Sequence, residues 1–172
     1  MQPQRWLRRS VPGFNDLSAE ERAAIRDFSL LWSLFEGTVL HTRANADRIV
    51  EAVSQLRDAG RLQLEPFDAP IGHFRARYFD GQNFTPAFDQ HLHFRNGDNR
   101  PLAKAFVSGQ TNDEAEIIAG LLIIVYRLRN NLFHGIKWAY GIRDQLDNFR
   151  HANESLMAVM DLYEGRHPQQ RA

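Results

Sequence analysis

Hydrophobic positions along the chain follow a helical period over most of its length and lose that period over one central stretch. After residue 18, Ile25, Phe28, Leu31/Trp32 and Phe35 recur at three- and four-residue spacing, with Leu34 and Val39 beside them. Such spacing lays an apolar stripe along one face of a helix. Ser18-Ala19-Glu20-Glu21 has the form of a capping box at its start, just after the turn-forming pair Asn15-Asp16. A second helix is predicted over 43–59. Ala46, Ile49/Val50, Val53 and Leu56 form its inner face, Arg48, Glu51, Arg57 and Asp58 its outer one, and Gly60 stops it.

Over 62–108 prolines at 66, 70, 86 and 101 and glycines at 72, 81 and 97 break the pattern into short pieces. Phe67, Phe74, Tyr78, Phe79, Phe84, Phe88, Phe94 and Phe106 still need burial. The stretch is therefore expected to be an insertion of short helices and ordered loops packed on a bundle, not a disordered linker.

Thr111-Asn112-Asp113-Glu114 reads as a second capping box, opening a third main helix. Along it Ile117, Leu121, Ile124 and Leu128 make one stripe, and Ile118, Leu122 and Val125 another. A helix apolar on two faces is buried between neighbours, inside a bundle or at a dimer seam. Arg129 continues the second stripe and is expected on the buried side, whereas Arg127 falls on the Glu116-Gly120-Ile123 line. The last helix is predicted over 141–163, where Ile142, Leu146, Phe149, Asn153, Leu156, Met160 and Tyr163 follow heptad-like spacing. Asn153 would be a polar register pin, and 165–172 a frayed tail. No strand-like alternation and no repeat is visible. The expectation is an all-α fold, a single domain over 1–172 with four main helices and the 62–108 insertion between the second and third.

Composition adds limits. At 172 residues, 43% hydrophobic and 24% charged, the chain matches an ordinary globular domain. The 21 Lys+Arg balance 21 Asp+Glu, which argues against gripping nucleic acid with the whole surface but permits a local basic site. The absence of cysteine excludes disulfides and thiolate chemistry. The first nine residues have no apolar signal-peptide core. The apolar block at 117–126 is too short to span a bilayer, which takes about 20 residues. A cytoplasmic protein with no membrane partner is expected.

Candidate chemistry concentrates in Arg129-Asn130-Asn131-Leu132-Phe133-His134-Gly135. It combines a cation that keeps its proton, two amides and an imidazole that titrates near neutrality, a set suited to a phosphodiester. The bland reading is a helix end, with Arg129 and His134 serving its carbonyls and Gly135 capping it.

The Arg-(x)4-His pattern, with polar Asn130 directly after the arginine, resembles the signature of the HEPN superfamily. These are helical-bundle proteins that include many RNA-cleaving toxins, and their motif is Arg, four to six residues, then His. Arg127 meets the outer limit of that spacing, and Arg129 is favoured by its polar follower. The resemblance is sharpest over 111–163.

It implies a HEPN-like four-helix bundle and metal-independent RNA cleavage, with Arg129, Asn130 and His134 as catalytic residues. Asn131, Arg127 and Lys137 are the candidate RNA contacts. It further implies RNA as substrate, a homodimer that pairs two motifs, and a cognate antitoxin or partner protein. The alternative within the same resemblance is an inactive module that binds nucleotide, RNA or protein. Some family toxins carry a modified tyrosine two residues after the histidine. Ile136 stands there, with Trp138 and Tyr140 further on, so that kind of antitoxin is not supported.

No metal or cofactor is expected. His91 and His93, with His73 and Asp89 nearby, do not make a four-ligand set. The Arg5-Trp6-Leu7-Arg8-Arg9 cluster is a candidate contact for RNA phosphates or a partner, with a solvated terminal arm the favoured reading, and Glu36 and His41 are too isolated to assign.

Overall fold

The structure is a computed structural model that describes residues 2–133 and 145–165. Seven α-helices lie in this part: α1 (Pro3–Ser10), α2 (Ala19–Thr38), α3 (Ala46–Asp58), α4 (Asp68–Tyr78), α5 (Arg100–Ser108), α6 (Glu114–Phe133) and α7 (Leu146–Glu164). The only β-type pairing among the described residues is an isolated Phe79–Phe84 bridge. The fold is all-α.

The starts of α2, α3, α5 and α6 are set by side chains that satisfy otherwise orphaned backbone donors. At α2 the capping box forms in full. The Ser18 hydroxyl accepts from the Glu21 amide at 3.0 Å, and the Glu21 carboxylate accepts from the Ser18 amide at 2.8 Å. Asn45 caps α3 through the Arg48 amide, so this helix begins three residues later than its apolar pattern suggests. At α6 the capping side chain is Asp113, not Thr111. Asp113 accepts from the Glu116 amide at 2.9 Å, while the Thr111 hydroxyl bonds the Glu116 carboxylate and holds the turn before the helix. The N-terminal arm is itself a helix, begun by Pro3, and none of its residues is buried.

Helix α6 is the axis of the core. Every residue from Ile117 through Val125 is buried, so the helix has no outer face over that length. Its neighbours are α3, α5 and α7, and α2 packs chiefly on α7. Phe28, Trp32 and Phe35 of α2 and Phe149, Leu156 and Val159 of α7 fill the space between. Full burial of one such side chain contributes about 1.5–3 kcal/mol. Asn153, the expected pin, donates to the Ala24 carbonyl at 3.2 Å and so ties α7 to α2.

The 62–108 stretch holds a 3-10 turn (Glu65–Phe67), α4, a π-helical turn (Ala87–His91) and α5. Its rings pack in sequence, Phe79 on Phe84, Phe84 on Phe88 and Phe88 on Phe94, with Tyr78 against Phe88. Packed on the bundle, it supplies one wall of α6. The backbones of α5 and α6 approach so closely at Gly120 that an added Cβ would lie 2.5 Å from the Phe106 Cβ and 3.1 Å from the Leu102 carbonyl oxygen. Gly120→Ala is expected to cost about 1–3 kcal/mol, the usual penalty of overpacking. Urea denaturation reads it directly, and unchanged stability would show that the two helices can separate.

Helix α4 meets α7 through polar groups. His73 Nε2 lies 2.9 Å from Asn148 Oδ1, and the His73 ring stacks on His151 with centroids 4.4 Å apart. His151 in turn faces the Glu154 carboxylate at 2.9 Å, and Asn148 donates to Gln145. Burial holds the His73 pKa below its usual 6.5, with His151 and Arg77 adding to the effect and the Asn148 bond opposing it. The unfolded chain therefore binds the proton more readily. The contribution of His73 to stability is complete above pH 6.5 and is lost as pH falls below it, toward the lowered folded pKa. Denaturation midpoints should drop over that window in the native protein and drop less in His73→Gln.

Candidate functional site

The C-terminal half of α6 carries two arginines that the fold treats in opposite ways. A helix turns about 100° per residue. Arg127, seven residues past Gly120, returns to within about 20° of the α5-facing side, whereas Arg129, nine past, points to the opposite side.

Arg127 lies on the insertion side, and its side chain is 1% exposed. One guanidinium nitrogen pairs with Asp98 at 2.8 Å, and the others donate to the backbone carbonyls of Leu92 and His93 at 3.0 and 2.6 Å. Burial pulls the Arg127 pKa down and Asp98 pushes it back up. Asn131, fully buried one turn further on, donates to the carbonyls of His91 and Leu92. Both side chains thus hold the 91–98 loop from the interior, Asn131 through its amide nitrogen, while its Oδ1 is buried without a partner. This places two of the candidate RNA contacts inside the fold, Arg127 at 1% and Asn131 at 0% exposure. It also reverses the expected burial order, because the insertion covers the Gly120 face that the pattern left open.

Arg129 faces α2 and is about one-quarter exposed. Its guanidinium donates to Glu36 at 3.3 Å and to the Asn130 side-chain oxygen at 2.9 Å. It also lies between two rings, 5.5 Å from the Trp32 centroid and 5.1 Å from that of Phe133. The Trp32 indole donates to the same Glu36 carboxylate at 2.7 Å. Among the described residues the Arg129 guanidinium bonds side chains and no terminal carbonyl of α6; the His134 and Gly135 parts of the helix-capping reading lie outside them. The Arg129 Nε is buried without a partner.

Arg129, Asn130, Glu36 and Trp32 are therefore brought together, with Phe133 54% exposed at the rim. His134 and Lys137, and with them Gly135, Ile136, Trp138 and Tyr140, lie outside the described residues. Glu36 is the member that sequence reasoning passed over. It sits one turn beyond Trp32 on the edge of the α2 stripe, and a carboxylate at the border of an apolar face is the signal that could have marked it. Chemically, the cluster presents a preorganised fork of donors that, among the described residues, faces a single carboxylate.

Among the described residues no group of three or more His, Asp or Glu side chains is arranged to hold a metal. Asp89 pairs with Arg100 and His73 with Asn148. No described helix is long and apolar enough to cross a membrane.

The two arginines should separate cleanly in stability. Arg127→Ala strands a buried Asp98 and is expected to cost about 3–5 kcal/mol. Arg129→Ala removes a partly exposed pair and two ring contacts and should cost no more than about 2 kcal/mol. Denaturant titration of both variants checks this, and a larger loss at Arg129 would overturn the division. No family model matches this chain, and no curated protein and no solved structure shows significant similarity to it.

Proposed function

We propose that this chain is a metal-independent endoribonuclease of the HEPN type, acting as a homodimer in the cytoplasm as a toxin or defence effector. The ribose 2′-oxygen attacks the adjacent phosphorus and the bond to the 5′-oxygen breaks, leaving a cyclic phosphate and a free 5′-hydroxyl. His134 takes the proton from the nucleophile or gives one to the leaving oxygen. One imidazole cannot do both at the same moment, and a second copy of the chain supplies the other. Arg129 holds the phosphoryl oxygens as charge builds on them, and Asn130 fixes the guanidinium.

The observation that carries this reading is the condition of Arg129. It is partly exposed at the end of a buried helix, clamped between Trp32 and Phe133, and among the described residues Glu36 is its carboxylate partner. A transition-state dianion is a stronger partner for it than one carboxylate. The same Glu36 contact favours a second reading, an inactive module in which the ion pair closes the site.

Purified protein should cleave RNA in the presence of EDTA, with cyclic phosphate on the upstream product. Arg129→Ala and His134→Ala should each lower the rate by about 10²–10⁴-fold. Arg129→Lys should not restore it, since an ammonium offers no planar fork. Intact RNA across several substrates, or cleavage that persists in both alanine variants, would leave only the inactive module.

A further inference from the structure

Helix α1 carries a basic and aromatic face that the proposed site does not use. Its eight residues include Arg5, Arg8 and Arg9 and no acid. On a helical wheel Arg8, Arg5, Arg9 and Trp6 follow one another around about 160° of the surface, and Leu7 lies opposite with Pro3, Gln4 and Ser10 beside it. Leu7 is the residue that packs on the core, and Trp6 is 47% exposed.

Of the other described arginines, some sit on carboxylates, as Arg26 on Asp27, Arg48 on Glu51, Arg100 on Asp89 and Arg150 on Glu20 and Asp147, and others, as Arg22, Arg61 and Arg75, donate to backbone carbonyls. Arg5, Arg8 and Arg9 have no such partner among the described residues. The chain as a whole is neutral, so this face is a local concentration of charge and not a share of a general excess. Like charges three and four residues apart weaken a helix. The helix dipole offsets this for Arg8 and Arg9 in the last turn, but not for Arg5.

We propose that α1 is a binding arm for single-stranded RNA, its three arginines on successive phosphates and the Trp6 ring stacked on a base. Three charges fit a polyanion, and an exposed indole among them fits one whose units have a flat face. A membrane fits less well: interfacial helices bury a broad apolar face, and α1 turns its one aliphatic residue inward. The inference rests on reading this protein as RNA-cleaving, and it supplies affinity that a neutral body lacks.

The test is binding of a short fluorescein-labelled 2′-O-methyl oligouridylate, which cannot be cleaved because its 2′-oxygen is blocked. Arg5→Gln/Arg8→Gln/Arg9→Gln should weaken binding by about ten-fold. The same variant should flatten the slope of log affinity against log salt by about 2, three contacts at about 0.7 each. Trp6→Ala should weaken binding and Trp6→Phe should not. Circular dichroism of each variant should match the native protein, because α1 contributes no buried residue to the core.

Unchanged affinity and slope in the triple variant would overturn the arm. So would native protein that ignores the oligonucleotide, or that binds phosphatidylserine vesicles or polyglutamate in its place. A cleavable RNA that survives, with oligonucleotide binding still dependent on α1, would sink the nuclease reading and leave the arm standing.

Discussion

The buried pair of Arg127 and Asp98 is the contact on which the rest of the arrangement hangs. An uncompensated charge in the interior is far more expensive than a lost surface contact, so neither residue can withdraw without the other. Asp98 also accepts from the Arg95 amide, which closes the turn at 95–98. Asn99, next in the chain, caps α5 through the Leu102 amide from a left-handed backbone conformation. One ion pair thus fixes where α5 begins, and the position of α5 decides whether Phe106 meets Gly120.

That dependence explains what could be read from the sequence and what could not. Helical class, the α2 capping box and the inner faces of α3 and α7 follow from local spacing, because each is settled within a few turns of chain. The buried status of Arg127 depends on a loop about thirty residues earlier, and no local pattern encodes that meeting. By apolar neighbours along α6 alone, Arg129 ranks as the more buried of the two. A charged side chain with three partners can be buried more deeply than its apolar surroundings suggest.

The candidate site shows the same division. Arg129 and Asn130 were legible as a motif, being adjacent on one helix. Glu36 was visible as a polar residue but not as a partner, since its meaning lies in the packing of α2 beside α6. The ring clamp was illegible for the same reason: Trp32 contributes its indole to the core and its N–H to Glu36, and a sequence shows only the first role. Arg129 is consequently held by groups from two helices, which fixes the direction of its fork as well as its place.

Gly120 has a consequence for how α6 can vary. With one point of the helix seated against another backbone, its rotation and its position along the axis are set there. Everything downstream is then measured in residues from that seat. One residue gained or lost between 120 and 127 would turn both arginines by about 100° and shift them by about 1.5 Å. Arg127 would leave Asp98 and Arg129 would leave Glu36 together. In this segment the number of residues is a tighter constraint than their identity, and a change of length would strike core and site at once.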